Sequence, residues 1–152
     1  MSTQGQGGER KKVSHIGAPA CFALEQACKD LRDAFCDPED GYSGIYVVGS
    51  CLERPDWRDV DVRMIMGDAA FGRLFPHAHL DNGTWEFDPR WCLMTIAISR
   101  LLSEQTGLPI DFQFQPQTFA NARHDKARHP VGLRYVPRDK AAPPTSNGGD
   151  NG

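Results

Sequence analysis

The chain predicts a single α/β (α+β) domain, a small mixed β-sheet with helices packed on one side. Three observations carry this reading. Two stretches keep apolar residues at helical spacing, three short segments are apolar or alternate with a period of two, and the elements run helix, strand, strand, short helix, long helix, strand. The 152 residues are enough for one real core, and 39% hydrophobic with 24% charged residues is the balance of an ordinary globular protein. Residues 1–14 are Gly, Gln, Ser and charge and read as a disordered lead, residues 15–137 as the folded domain, and residues 138–152, rich in Pro, Ser, Asn and Gly, as a disordered tail.

The first helix is expected from Pro19, with Leu24, Ala27, Cys28, Leu31, Ala34 and Phe35 on its apolar face and a stop at Asp37-Pro38. Ile45 to Val48 is a short apolar run ending at Gly49, as a core strand ends in a turn. From Asp59 to Met64 the chain alternates, so that Asp59, Asp61 and Arg63 share one face and Val60, Val62 and Met64 the other. Asp68 is placed to cap a short helix bearing Phe71, Leu74 and Phe75, which Pro76 ends. His77, His79 and Asp81 surround a turn and read as surface residues rather than zinc ligands.

Asp88-Pro89 pairs an N-cap with a first-turn proline and opens the long helix. Trp91, Met94, Ile98, Leu101 and Leu102, broadened by Leu93 and Ile96, make it the expected most buried helix, covering the sheet between the second and third strands until Gly107. In Leu108 to Gln115, Ile110, Phe112 and Phe114 face one way, and Asp111, Gln113 and Gln115 the other. A short helix is expected over Thr118 to Lys126. Residues 121–140 then hold six Lys or Arg against two acids, either a solvated basic tail or a contact surface for a polyanion.

The chemistry concentrates between Tyr46 and Met66. Gly49 lets a ligand approach, and Ser50 offers a hydroxyl and a backbone N–H at a bend, a pairing suited to phosphate oxygens. Asp59 and Asp61, two apart on a strand, repel unless a hard divalent cation such as Mg²⁺ lies between them.

Gly49-Ser50, the spacer Cys51 to Arg58, Asp59-Val60-Asp61-Val62 and the later Asp111 together resemble the signature of the polymerase-β-like nucleotidyltransferase superfamily, in particular its minimal stand-alone members. The spacer is slightly shorter than the family's usual range. The resemblance implies that Gly49 and Ser50 hold the triphosphate of a nucleoside triphosphate such as ATP. It also implies that Asp59, Asp61 and Asp111 bind two Mg²⁺ ions, with Mn²⁺ as a substitute, and carry the catalysis. Arg63, on the acid face, is a candidate nucleotide contact or a partner for a carboxylate. The implied reaction moves a nucleoside monophosphate to a hydroxyl and releases pyrophosphate. The acceptor is left open among a protein, a tRNA or other RNA and a small molecule, in a bacterial or phage setting.

A catalytically silent nucleotide- or partner-binding module of the same fold is the alternative. A two-metal nuclease using the same acids is a third reading, one that gives Gly49-Ser50 no task. The net charge of −3 argues against a polycation that coats nucleic acid. Residues 1–14 lack the apolar core of a secretory signal, and no run has membrane-spanning length. Five cysteines without a Cys-x-x-Cys pair fit reduced, packed thiols and a cytoplasmic protein.

Overall fold

The computed structural model describes residues 14–37, 39–40 and 43–133. The expected lead and tail fall almost entirely outside these, as do Arg134, Arg138 and Lys140 of the basic stretch. The elements are α1 (Ala18–Phe35), β1 (Gly44–Val48), α2 (Ser50–Glu53), β2 (Val60–Met66), α3 (Asp68–Leu74), a 3-10 turn (Thr84–Phe87), α4 (Pro89–Thr106), β3 (Ile110–Pro116), α5 (Gln117–Arg123) and β4 (His129–Val131). The strands form one mixed sheet in the order β3-β2-β1-β4, so the protein is a single mixed α/β domain. β1 runs antiparallel to both neighbours, and β2 and β3 are parallel. A parallel pair needs a long crossover, and the segment holding α3, the 3-10 turn and α4 provides it. Among the described residues no helix is long and apolar enough to cross a membrane.

Alternation along the strands splits the sheet into two unlike faces. Ile45 and Val47, Val60, Val62, Met64 and Met66, Ile110, Phe112 and Phe114, and Val131 all join one apolar core with Leu24, Cys28 and Leu31 of α1, Phe71 of α3, and Trp91, Ile98 and Leu102 of α4. Each such side chain taken from water contributes about 1.5–3 kcal/mol, which makes this face the main source of stability. Phe114 sits at the centre, its ring centroid 5.2 Å from that of Phe35, 5.3 Å from Phe75 and 5.0 Å from Phe112, all edge to face.

The termini of α4 follow the local code closely. The Asp88 carboxylate accepts from Trp91 N at 3.0 Å, and Gly107 closes the helix in the left-handed conformation at φ 71°. Its position differs from the expected one. α4 lies along the outer edge of β3, where Ser103 Oγ accepts from Ile110 N (3.0 Å), Ser99 Oγ accepts from Phe112 N (2.9 Å), and Trp91 Nε1 donates to Phe114 O (2.9 Å). These side chains satisfy backbone groups that an edge strand would otherwise expose. As a result the outer side of α4 is open, with Leu93 71%, Ile96 50% and Leu101 45% exposed, so α4 is not buried all round.

Other expectations shift by the chemistry of the ends. Asp68 does not cap α3. It lies in the first turn after Gly67, and its carboxylate accepts from Thr118 N (3.1 Å) and Thr118 Oγ1 (2.6 Å) instead. Helices cover both faces rather than one, because α5 lies on the polar face, where His124 at its end meets Gln115. Part of the expected basic tail is the strand β4, and Arg128 before it donates to the carbonyls of Ala120 and His124.

Candidate active site

The site is the polar face of β2 and β3. In the parallel register Asp61 lies opposite Asp111 and Arg63 opposite Gln113, while across the antiparallel pair Val48 lies opposite Asp61. The structure therefore brings Asp61, Arg63 and Asp111 together beside the turn that leaves β1. Asp59 stands before the first residue of β2 and is exposed, so it adjoins this group without sharing the strand.

Gly49 makes the turn possible. Its backbone, φ 82° and ψ −153°, lies in a region that L side chains essentially never occupy. A Cβ there would also stand 2.5 Å from Asp61 Oδ2. Ser50 follows as the first residue of α2, whose carbonyl accepts from Arg54 N at 3.0 Å. Cys51 behind it is fully buried, its thiol pushed up to about 11 by burial and then by Asp61, and it packs rather than reacts.

Arg63 is 7% exposed, and its guanidinium spans the two carboxylates. Nη2 lies 3.3 Å from Asp111 Oδ2 and 3.6 Å from Asp61 Oδ1, and Nη1 donates to the carbonyls of Asp111 (2.6 Å) and Val62 (3.2 Å). Nε is buried without a hydrogen-bond partner. Arg63 thus pairs with the acids, the second of its two expected roles. Burial raises the pKa of Asp61; Arg63 opposes the shift, and Asp111 and Asp59 reinforce it. Negative charge at Asp61 is incompletely compensated.

Beyond Arg63 opens a cleft of about 600 Å³ lined by Gly49, Asp61, Gln113, Gln115, Phe119 and His124, with Glu86 and Arg123 at exposed positions. Its polar wall is ordered: Gln115 Nε2 donates to Gln113 Oε1 (3.1 Å), and Gln115 Oε1 meets His124 Nε2 (2.9 Å). The pKa of His124 is lowered by burial first, then by Arg63, Arg128 and Arg123. Phe119 is braced from behind by Trp85, centroids 5.1 Å apart.

The sequence assigned no role to Gln113, Gln115 or Phe119, and it placed Arg123 and His124 only within the basic stretch read as a solvated tail or a polyanion contact. The period-two pattern had already placed Gln113 and Gln115 on the face of Asp111, whereas nothing local marks α5 as a wall of the same cleft. Lys126 points elsewhere, pairing with Glu53 at 3.3 Å. His77 and His79 are exposed, as read.

Among the described residues no three His, Cys, Asp or Glu side chains are gathered as a ready-made cation cage. The fit to a hard divalent ion rests on the donor set itself: carboxylate oxygens at Asp61 and Asp111, and residual negative charge at Asp61 that a cation would satisfy. Comparison of the chain with family models, curated proteins and solved structures gives no match.

Proposed function

We propose that this protein is a nucleotidyltransferase, moving a nucleoside monophosphate from a nucleoside triphosphate to an acceptor hydroxyl. The observation that carries the reading is the register of β2 on β3, which sets Asp61 against Asp111 beside the Gly49 turn. A third acid on the strand next to the Asp-x-Asp is what the resemblance to polymerase-β-like enzymes expects.

In this reading the Gly49 turn and Ser50 receive the β and γ phosphates, and the nucleoside enters the cleft between the Gln113–Gln115 wall and Phe119. The acceptor oxygen attacks the α phosphorus. The bond from that phosphorus to the bridging oxygen breaks, pyrophosphate leaves with the electron pair, and the acceptor's proton passes to Asp111, whose side chain is 45% exposed. Asp59, Asp61 and Asp111 are the residues that would hold Mg²⁺, which when bound offsets the charge of the phosphates and the leaving group.

A cleft of about 600 Å³ accommodates one nucleotide and little more. The acceptor therefore offers a single hydroxyl from outside, which favours a macromolecule, protein or RNA, over a second small molecule enclosed in the same space. A cytoplasmic setting goes with five free cysteines.

One observation favours a second reading, a silent binding module of this fold: Arg63 already partners both acids. Calorimetry with each of the four nucleoside triphosphates separates the two. The transferase reading expects at least one to bind in Mg²⁺, and to bind on the order of 10²-fold or more weakly without the metal or after Asp59→Asn with Asp61→Asn. Binding indifferent to metal and acids indicates the silent module. Failure of all four to bind the wild type sinks the transferase.

A further inference from the structure

We propose that Arg63 is a built-in cation of this site, so that the acids take one divalent ion, at Asp61, and not two. The inference rests on the transferase reading and narrows its metal set, taking Asp111 out of the residues that would hold Mg²⁺.

Charge placement is the first part of the argument. A two-ion site needs Asp111 free to coordinate beside Asp61. Here both are already met by one guanidinium, 3.3 Å from Asp111 Oδ2 and 3.6 Å from Asp61 Oδ1. A divalent ion shared by the same two oxygens would lie in contact with that guanidinium, and like charges at such separations in a half-buried setting repel strongly.

The second part is that Arg63 is poorly placed to leave. It is 93% buried by its 7% exposure, and Nη1 is tied to two backbone carbonyls, Asp111 O at 2.6 Å and Val62 O at 3.2 Å. Its Nε–H has no partner. A buried donor left unmet is costly, so the side chain is held where it is by its Nη contacts even at the loss of a hydrogen bond. That arrangement belongs to a group installed on the carboxylates rather than to a mobile phosphate clamp.

The third part is directional. The two oxygens of Asp61 face different neighbours: Oδ1 lies toward Arg63, and Oδ2 toward Gly49, where a Cβ would touch it. Gly49 and Asp61 both line the cleft, so a single ion on the Oδ2 side would sit next to the turn assigned to the phosphates. Asp111 becomes the carboxylate that Arg63 positions, free of metal and able to accept the acceptor's proton.

The test counts Mn²⁺ bound per chain, by electron paramagnetic resonance of the free ion, on the full-length protein without nucleotide. The expected result is one ion for wild type, one for Arg63→Lys, and a second for Arg63→Gln, which removes the cation from Asp111 Oδ2. Asp111→Asn leaves the wild-type count at one, whereas a shared two-ion site would lose an ion. Two ions in the wild type, or an unchanged count in a folded Arg63→Gln, overturns the proposal. If Arg63→Gln does not fold, the wild-type and Asp111→Asn counts still decide. Two ions alongside intact triphosphate binding defeats this inference alone. No ion and no triphosphate binding defeats the transferase reading with it.

Discussion

The two faces of one sheet are built from alternate residues of the same strands, yet they obey different rules. On β3, Phe112 and Phe114 are fully buried in the apolar core, whereas Asp111 pairs with Arg63, Gln113 with Gln115, and Gln115 also with His124. The apolar face is stabilised by volume: any side chain that fills the same space and stays dry will hold it. The polar face is stabilised by pairing, in which each buried group depends on particular polar neighbours. Gln115, 3% exposed, relies on Gln113 and His124, and Arg63 relies on two carboxylates and two carbonyls. The lesson is that a strand can supply stability with one set of residues and a reactive surface with the other, while a side chain such as Trp85 bridges the core to the wall of the cleft.

The sharpest way to break this comparison is to truncate neighbours on opposite faces. Phe114→Ala removes a fully buried ring from the centre of the aromatic cluster and should cost about 3–5 kcal/mol, while Gln113→Ala, one residue away on the half-buried face, should cost under about 1 kcal/mol. Urea unfolding of both variants measures the difference. Equal losses would mean that the polar face carries as much of the fold as the core does.

A smaller effect is expected where the faces meet at the turn. Gly49→Ala forces a side chain into a glycine-only backbone region and against Asp61 Oδ2, a loss of about 1–3 kcal/mol in the same assay. If alanine is accepted without loss, the turn requires neither the glycine-only conformation nor the close approach to Asp61 Oδ2.

The smallest is a pH dependence confined to the polar face. The folded-state pKa of His124 lies below the ordinary 6.5, so as pH falls below 6.5 the unfolded chain takes up the proton first and stability declines until the lowered pKa is passed. Asp61 acts oppositely: with its pKa raised above 3.8, the folded state binds the proton first, and stability from this group rises as pH falls through that raised value toward 3.8. Melting temperatures from pH 7 to 5 for wild type and His124→Asn isolate the histidine contribution. A slope that persists unchanged in the variant assigns it to another group.

Much of the fold is legible because local chemistry dictates it. Asp88-Pro89 and Gly107 bound α4 to the residue, since a carboxylate on an orphan N–H and a glycine at positive φ are requirements of the helix ends themselves. The alternation likewise assigned Val60 to Met64 of β2 and Ile110 to Gln115 of β3 to their faces. Less legible were β4, three residues long with a proline inside a basic stretch, and the 3-10 turn that delivers Trp85. Neither has enough periodicity to stand out. Leu93 and Ile96 match the helical spacing of a buried face, but α4 lies along a sheet edge and turns them outward.

By itself, then, the sequence determined which residues form each main helix and strand, and that Asp61, Arg63 and Asp111 lie on polar faces. Those properties depend on backbone geometry within a few residues. Only the tertiary structure decided that β2 pairs in parallel with β3 in the register that opposes Asp61 to Asp111, that Arg63 stands between them, and that α5 closes the cleft. Strand order, register and the choice of ionic partner are set by how distant segments bury a shared core, and that competition is settled only when the whole chain has folded.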